Sequence, residues 1–211
     1  MIQQIHFGVN SYKAKSGLIS ADRLVNCYAE ITPQTSAFPN MVLGTAGFDV
    51  WLDTAVSLPI YGMHVMNGDL FVVAGNKVFK FDSGKARTLI GEITTQIGQV
   101  IMTDNGTQIT IQFPGGITYY CTSTAGSLLQ ITDGDFNNSG SITTLDGFTV
   151  SALIDSNEFQ WSNVNTTENW NALNAATVEA NSSKIVRVYQ NNLELWFFKE
   201  DIIQVYYNTG S

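Results

Sequence analysis

The sequence predicts an all-β fold of antiparallel, propeller-like blades, forming an incomplete propeller that carries an extended N-terminal arm. Apolar runs alternate with tight polar turns, and the turns recur with a period of about 40 residues, which is typical of propeller blades. Four hairpin turns are expected, at Asn67-Gly68, Asn105-Gly106, Asp146-Gly147 and Asn191-Asn192. Asn-Gly and Asp-Gly pairs between apolar runs favour type I′ hairpins, because both central residues need a positive φ.

The first part of the chain, residues 1–59, differs from the rest. It lacks a clean alternation of apolar and polar residues, and it holds three of the four prolines, Pro33, Pro39 and Pro59. Proline fixes φ and removes a backbone donor, so this composition favours an extended arm. We therefore expect residues 1–59 to form the arm and residues 60–211 to form about three and a half to four blades.

The first two repeating units are each expected to be four-stranded meanders. In the first unit the strands are Ile60–Met66, Leu70–Ala74, Lys77–Phe81 and Arg87–Ile90. Leu70–Ala74 is continuously apolar, which indicates a strand buried on both faces. In the second unit, strands at 108–113, 117–121 and 128–131 follow the turn at Asn105-Gly106.

The third unit is less regular, and the fourth lacks a strand. Strands are expected at 148–154 and 158–161, followed by a loop and an irregular or helical turn over 171–180, where alanine favours helix modestly. The fourth unit has strands at 184–189, 193–198 and 202–207, and then the sequence stops. A blade with an unpaired last strand exposes an edge that can recruit other strands.

Composition limits the classes of function. The chain is 44% hydrophobic and only 13% charged, so we expect Ser, Thr, Asn and Gln to supply the solvated faces, although a low charge content is also typical of surfaces buried by partners. Ten Lys plus Arg against 18 Asp plus Glu give a net charge of −8. Tight binding to a phosphate backbone is therefore not expected, because it depends on clustered basic side chains.

The cysteines and the N-terminus indicate no export and no cofactor. Cys27 and Cys121 lie far apart in sequence and are expected to be two free thiols. Residues 1–7 lack the features of a secretory signal, and no apolar run is long enough to span a membrane. No phosphate-binding loop or cysteine motif occurs, so no cofactor is expected.

Candidate catalytic groups are few, and no enzyme activity is expected. A Ser or Cys nucleophile needs a base, and the chain has only His6 and His64, of which His64 lies inside a strand and is read as structural. Asp155, Glu158 and Glu168 are candidates for paired carboxylates, but nothing in the sequence brings them together. Asp133 opens a segment that resembles a calcium loop but lacks its glycine and its final glutamate, which favours a solvated turn.

The tryptophans offer another kind of site. Trp161 and Trp170 flank the irregular loop of the third unit and could stack on a sugar, whereas Trp196 lies within an apolar run and is expected in the core.

Several segments carry a resemblance to a known family. The stretch from Phe159 to Ala180, the run Leu193–Phe198, the segment Val205–Gly210 and the opening Ala21–Glu30 with Gly44–Phe48 resemble the packaged-DNA stabilisation proteins of short-tailed, P22-like phages. These proteins are tail hub or nozzle components. The similar region spans about residues 20–210, and its motifs are structural and mark no catalytic site.

The resemblance implies a structural virion protein in the phage tail. Identical propeller-bearing subunits would form a homo-oligomeric ring that closes the DNA exit channel after packaging, joins the portal or adaptor to distal tail parts, and contacts tail proteins of the adaptor, needle or fibre type. DNA would pass through transiently without tight binding. The protein would reside in the cytoplasm of the bacterial host before assembly and in the virion tail afterwards.

The sequence also suggests contact residues, an alternative function and an incomplete chain. The candidate contacts for assembly or for a ligand are Arg23, Asn26, Tyr28, Trp161 and Trp170. A carbohydrate-binding or receptor-binding propeller module is the alternative function. Members of the family continue past the segment at which this sequence stops, so a fragment or a shortened homologue with an incomplete propeller is expected.

Overall fold

The computed structural model describes residues 26–31, 40–93, 98–113, 115, 117–122 and 126–209. Every regular element in these ranges is a β-strand. Within them no helix is long and apolar enough to cross a membrane. The chain divides into two compact units, residues 1–51 and residues 52–211.

The first unit contains one described hairpin. Strands β1 (Cys27–Ile31) and β2 (Asn40–Gly44) pair antiparallel, with Tyr28 opposite Leu43. The two cysteines of the chain are free, as the sequence predicts. Most of the expected arm, including Arg23, Pro33 and Pro39, lies outside the described residues.

The second unit begins at Leu52 and continues into blade 1. This blade is the antiparallel meander β3 (Ile60–Met66), β4 (Asp69–Ala74), β5 (Lys77–Phe81) and β6 (Arg87–Glu92). The hairpin turn at Asn67 and Gly68 has φ of 55° and 86°, as a type I′ turn requires. Residues 71–74 are 0–1% exposed, so the predicted burial of this strand on both faces is confirmed.

Blade 2 is also a four-stranded meander. It comprises β7 (Ile101–Asp104), β8 (Gln108–Gln112), β9 (Thr118–Thr122) and the short β10 (Leu129–Gln130). Its first turn has three residues, because the Asn105 side-chain oxygen accepts bonds from the backbone N–H groups of Thr107 and Gln108. Gly106 takes the positive φ, 84°.

Blade 3 corrects one prediction. Its strands are β11 (Ser139–Leu145), β12 (Phe148–Leu153), β13 (Glu158–Ser162) and β14 (Trp170–Thr177), and its first turn, at Asp146-Gly147, is the predicted hairpin. The irregular or helical turn expected over 171–180 is wrong, because β14 pairs with β13 through residue 177. Ladder hydrogen bonds to β13 outweigh the modest helical preference of the alanines.

Blade 4 has three strands, β15 (Ile185–Asn191), β16 (Glu194–Lys199) and β17 (Ile203–Tyr207). Its hairpin turn lies one residue later than predicted: Asn191 already pairs with Glu194, and Asn192 takes a positive φ of 55°. The remaining turns and strands confirm the all-β, antiparallel, propeller-like fold of an incomplete propeller.

The blades stack face to face. The first strands of successive blades, β3, β7, β11 and β15, lie side by side. Blades 2 and 3 therefore each present one face to the blade before and the other face to the blade after, as in propellers. The three resulting seams between blades differ in chemistry, and they position the candidate sites.

Candidate functional site

The seam between blades 1 and 2, here called the apolar seam, is a hydrophobic core. Blade 1 supplies Phe71 and Val73, and blade 2 supplies Ile109, Ile111 and Phe113. All five side chains are at most 1% exposed. Cys121 lies in the same cluster, and burial raises the pKa of its thiol to about 11. A thiol in this setting is a packing residue and a weak nucleophile.

His64 joins the two blades on their first strands. Its Nε2 atom lies 2.6 Å from Asp104 Oδ2, and both side chains are about a quarter exposed. The hydrogen bond from His64, with a further bond from the Gly106 N–H, holds the pKa of Asp104 below its ordinary value. His64 thus links the first strands of blades 1 and 2 through Asp104.

The seam between blades 2 and 3, here called the polar seam, is buried but lined by uncharged polar groups. Thr110 of β8 and Thr149 of β12 both meet the hydroxyl of Thr167, and the Thr110 and Thr167 oxygens lie 2.7 Å apart. The Gln108 side-chain oxygen accepts a 2.7 Å bond from the Thr167 N–H. The Gln112 amide donates to the Ser139 carbonyl. These hydrogen bonds join blade 2 to blade 3.

The polar seam corrects the expectation that Ser, Thr and Gln would supply solvated faces. Thr110, Gln112, Thr149, Ser151 and Thr167 are each at most 1% exposed. The alternation Gln-Ile-Thr-Ile-Gln along β8 is typical of a strand with one wet face, yet blade 3 covers that face. The matching alternation in β12, Thr149-Val-Ser-Ala152, was the signal that sequence reasoning missed.

The seam between blades 3 and 4 is again apolar at its centre. Val150, Phe159, Val188, Leu195 and Phe197 are buried together, with the rings of Phe159 and Phe197 4.6 Å apart. At one end the buried Lys199 ammonium donates to the carbonyls of Val178 and Asn181 and so fixes the loop between blades 3 and 4.

The candidate tryptophans are not a joint platform. Trp170 is 5% exposed, its Nε1–H donates to the Thr167 carbonyl, and its ring packs 4.7 Å from that of Phe136. Trp161 is half-buried beside Phe159, at the edge of the blade 3–4 core. Trp170 is therefore a buried packing residue, whereas part of Trp161 stays exposed.

Two of the remaining residues singled out from sequence lie in the first unit. Asn26 is exposed with a φ of 53°, and Tyr28 is 49% exposed on β1, both in the first unit. Arg23 lies outside the described residues. Trp196 was expected in the core, and this is wrong: in β16 Leu195 and Phe197 point inward, so Trp196 lies on the opposite, outer face.

Two of the candidate carboxylates, Asp155 and Glu168, have polar partners. Asp155 forms an ion pair with Lys184 at 2.9 Å, and Glu168 accepts a 2.7 Å bond from the Gln108 amide. Asp133 accepts bonds from the backbone N–H groups of Trp170 and Asp135, which lower its pKa and make it a turn residue. Across the described ranges no group of His, Cys, Asp or Glu has the arrangement of a metal site.

Stacked four-stranded antiparallel sheets with their first strands adjacent define a protein of the β-propeller class. Solved structures with similar folds include the computationally designed Ika4 protein, with a TM-score of 0.53 and 10% identity over 73% of this chain and 94% of that one. BamB from Moraxella catarrhalis gives 0.52 and 11% over 71% and 44%, and YCF48 bound to D1 peptide gives 0.54 and 13% over 75% and 54%. The chain spans about half the length of the latter two.

The family is shown by sequence. Residues 12–211 match the family described as bacteriophage P22 Gp10, beta-propeller. The chain therefore belongs to the phage packaged-DNA stabilisation family of β-propeller proteins, as the sequence resemblance implies. Among curated proteins, no sequence matches the chain.

Proposed function

We propose that the protein is a non-enzymatic structural component of a phage tail hub or nozzle that helps to retain packaged DNA. The observation that carries the proposal is the family match over residues 12–211. In this role the protein forms a homo-oligomeric ring that closes the DNA exit channel and connects the portal or adaptor to distal tail proteins of the needle or fibre type. It leaves the host cytoplasm on assembly into the virion.

The chemistry of the blades supports a scaffold rather than a catalyst. Several polar side chains of the polar seam bond to one another, as in the Thr110–Thr167–Thr149 chain of hydroxyls, while Ser151 Oγ and Gln112 Oε1 are buried without a partner. Of the carboxylates considered for hydrolysis, Asp155 pairs with Lys184 and Glu168 accepts a bond from the Gln108 amide. The carbohydrate-binding alternative depends on Trp161 and Trp170 as rings on which a sugar could stack. Trp170 is buried, so it does not support that alternative.

Retention of DNA in particles tests the proposal. Phage particles grown without this gene product should package DNA and then lose it, because the exit channel stays open. Adding the purified protein to fresh particles before DNA is lost should restore nuclease-resistant DNA and infectivity. Particles that remain full and infectious without the protein would contradict the proposal.

Binding to DNA offers a separate test. With a net charge of −8, the isolated chain should show no tight binding to random duplex DNA at physiological salt, because few basic groups are present to displace counterions. Fluorescence anisotropy with a labelled duplex at several salt concentrations measures this. Submicromolar binding that weakens steeply with salt would be the opposite result.

A further inference from the structure

Two buried polar atoms of the polar seam have no hydrogen-bond partner among the described residues. They are the side-chain oxygen Oε1 of Gln112 on β8 and the hydroxyl oxygen of Ser151 on β12. Gln112 is 1% and Ser151 0% exposed, so bulk solvent does not reach them. Because buried polar groups are nearly always bonded to protein or to ordered water, both atoms require a partner.

The two atoms belong to the same level of the seam. Thr110 of β8 and Thr149 of β12 meet at the hydroxyl of Thr167. Gln112 lies two residues after Thr110, and Ser151 lies two residues after Thr149. Both strands are the second strands of stacked blades and run the same way, and residues two apart on a strand share a face. Gln112 and Ser151 therefore form the next level of the polar seam.

A third polar side chain converges on this place. Ser151 pairs with Gln160 across β12 and β13, so the two side chains lie on one face of blade 3. Gln160 Oε1 accepts a 3.1 Å bond from the Asn137 amide. The Gln112 amide donates to the Ser139 carbonyl, two residues further along the chain. Gln112, Ser151 and Gln160 thus meet beside the segment that opens β11.

The bond to Ser139 also fixes the orientation of the Gln112 amide. Exchanging its nitrogen and oxygen would place Oε1 against the Ser139 carbonyl oxygen, and two acceptors repel each other. Oε1 of Gln112 is therefore an acceptor that needs a donor. The Ser151 hydroxyl can donate one proton and also accept.

We propose that the polar seam binds one ordered water molecule between Gln112, Ser151 and Gln160. The water accepts the Ser151 hydroxyl proton and donates its own two protons to Gln112 Oε1 and to the second lone pair of Gln160 Oε1. Three hydrogen bonds are typical of a buried water. At the first level of the seam the Thr167 hydroxyl bridges β8 and β12, and at the second level the water has the same role.

The chemistry of the three partners selects water over an ion. All three are uncharged, and two of them are amide oxygens. A calcium or magnesium ion takes six or more oxygen ligands, usually with carboxylates among them. Glu168 reaches the polar seam at Gln108, at the other end of β8. An anion would find a single hydroxyl donor at this site.

The inference goes beyond the proposed function, and the two fail separately. The water completes the hydrogen bonding between blades 2 and 3 and is tested in the isolated protein. The tail role is tested by the retention of DNA in particles.

A crystal structure of the 211-residue protein, at a resolution that places ordered water, is the direct test. We expect one water within about 3 Å of Gln112 Oε1, Ser151 Oγ and Gln160 Oε1. A direct bond between Ser151 and Gln112 would overturn the proposal. So would a well-ordered seam without solvent density, or a peak with the short distances and ligand number of a metal ion.

A solution measurement gives an independent test. Relaxation dispersion of ¹⁷O water counts the water molecules held inside a protein, and hydroxyl groups do not contribute because their oxygen does not exchange. Ser151→Val removes the hydroxyl and fills the space beside it, so its dispersion amplitude should fall by one water relative to wild type. An unchanged amplitude would contradict the proposal.

Thr149→Val is the matched control. It removes a hydroxyl from the same seam, one level away, at a position that is also 1% exposed, and it keeps the shape of the side chain. Its amplitude should equal that of wild type. Equal losses for the two variants would show a general loosening of the seam and would also overturn the assignment. Circular dichroism checks the fold of both variants, and the crystal structure of wild type needs neither.

Discussion

The two faces of blade 2 are buried to the same degree by opposite chemistry. On β8, Ile109 and Ile111 face blade 1 and are 0% exposed, while Thr110 and Gln112 face blade 3 and are 1% exposed. One strand thus supports an apolar seam and a polar seam at once. The difference shows that burial between blades in this fold does not require a hydrophobic face, provided that the neighbouring blade supplies hydrogen-bond partners.

The two seams contribute different things to the folded state. Each apolar side chain buried in the apolar seam contributes about 1.5–3 kcal/mol. A satisfied hydrogen bond in the polar seam contributes about 0.5–1.5 kcal/mol, but leaving a buried group without a partner costs about 1–3 kcal/mol. Of these two seams, the apolar seam therefore contributes more to stability, and the polar seam fixes which face of blade 3 meets blade 2, and in which register.

The largest expected effect is in the apolar seam. Phe71→Ala removes a ring that is 0% exposed and should lower the free energy of unfolding by about 3–5 kcal/mol, because the cavity cannot fully collapse. Urea unfolding followed by fluorescence measures this. Leu173→Ala, at a position that is 87% exposed in blade 3, should change stability by less than about 0.5 kcal/mol. Equal losses for the two variants would refute the core assignment.

A smaller loss is expected in the polar seam. Thr167→Val keeps the shape of the side chain but removes the hydroxyl that joins Thr110 to Thr149, and should cost about 1–3 kcal/mol. Thr167→Ser retains the hydroxyl and should recover most of the loss in the same urea measurement. If Thr167→Val had the same free energy of unfolding as wild type, the hydrogen bonds of the Thr167 hydroxyl would not stabilise the contact between blades 2 and 3.

The blades themselves were predictable because their signals are local. Asn67-Gly68 and Asp146-Gly147 specify type I′ turns through φ alone, and the apolar run at Phe71 specifies a buried strand. Local signals failed where the neighbouring strand determines the secondary structure. The alanines after Trp170 favour helix weakly, but β13 offers an unpaired edge, and a strand forms there.

The site was less predictable, for a related reason. Trp196 sits in an unbroken apolar run, which hides the alternation that sends Leu195 inward and Trp196 outward. The polar seam depends on two alternating strands, β8 and β12, that are far apart in sequence. Each strand read alone predicts a solvated face, and only their juxtaposition in space shows that Thr110 and Thr149 share Thr167.

The hydrogen bond between His64 and Asp104 at the edge of the apolar seam should give a smaller, pH-dependent effect. The hydrogen bond from His64 lowers the pKa of Asp104 in the folded state relative to an ordinary value of 3.8. A lowered folded-state pKa means that the stabilisation is present above pH 3.8 and is lost as the pH falls through the folded-state pKa. Because both side chains are partly exposed, the contribution should be about 1 kcal/mol or less.

The comparison of wild type with Asp104→Asn isolates this contribution. Wild type should be more stable at pH 6, and the difference in stability should narrow as the pH is lowered through the range in which Asp104 becomes protonated. Unfolding midpoints in urea across the pH series measure the gap. A gap that is constant with pH would assign the effect of the substitution to geometry and not to the charge of Asp104.

The smallest change, Ser151→Cys, replaces one oxygen by sulfur and allows the local opening of the two seams to be compared. Ser151→Cys places a thiol in the polar seam at a position that is 0% exposed, while Cys121 reports on the apolar seam at 1% exposed. The polar seam has less apolar contact to lose, so it should open locally at a lower free energy than the apolar seam does. In one protein that carries both thiols, N-ethylmaleimide should modify the new thiol at least about tenfold faster than Cys121, as measured by peptide mass spectrometry.

The control is the reactivity of the same two peptides in the unfolded protein. Burial raises the pKa of Cys121 to about 11, and this effect is absent in the unfolded state, so labelling there gives the intrinsic reactivity of each thiol. If the two thiols react at the same corrected rate, the blades open together and the chemical difference between the seams has no counterpart in their dynamics.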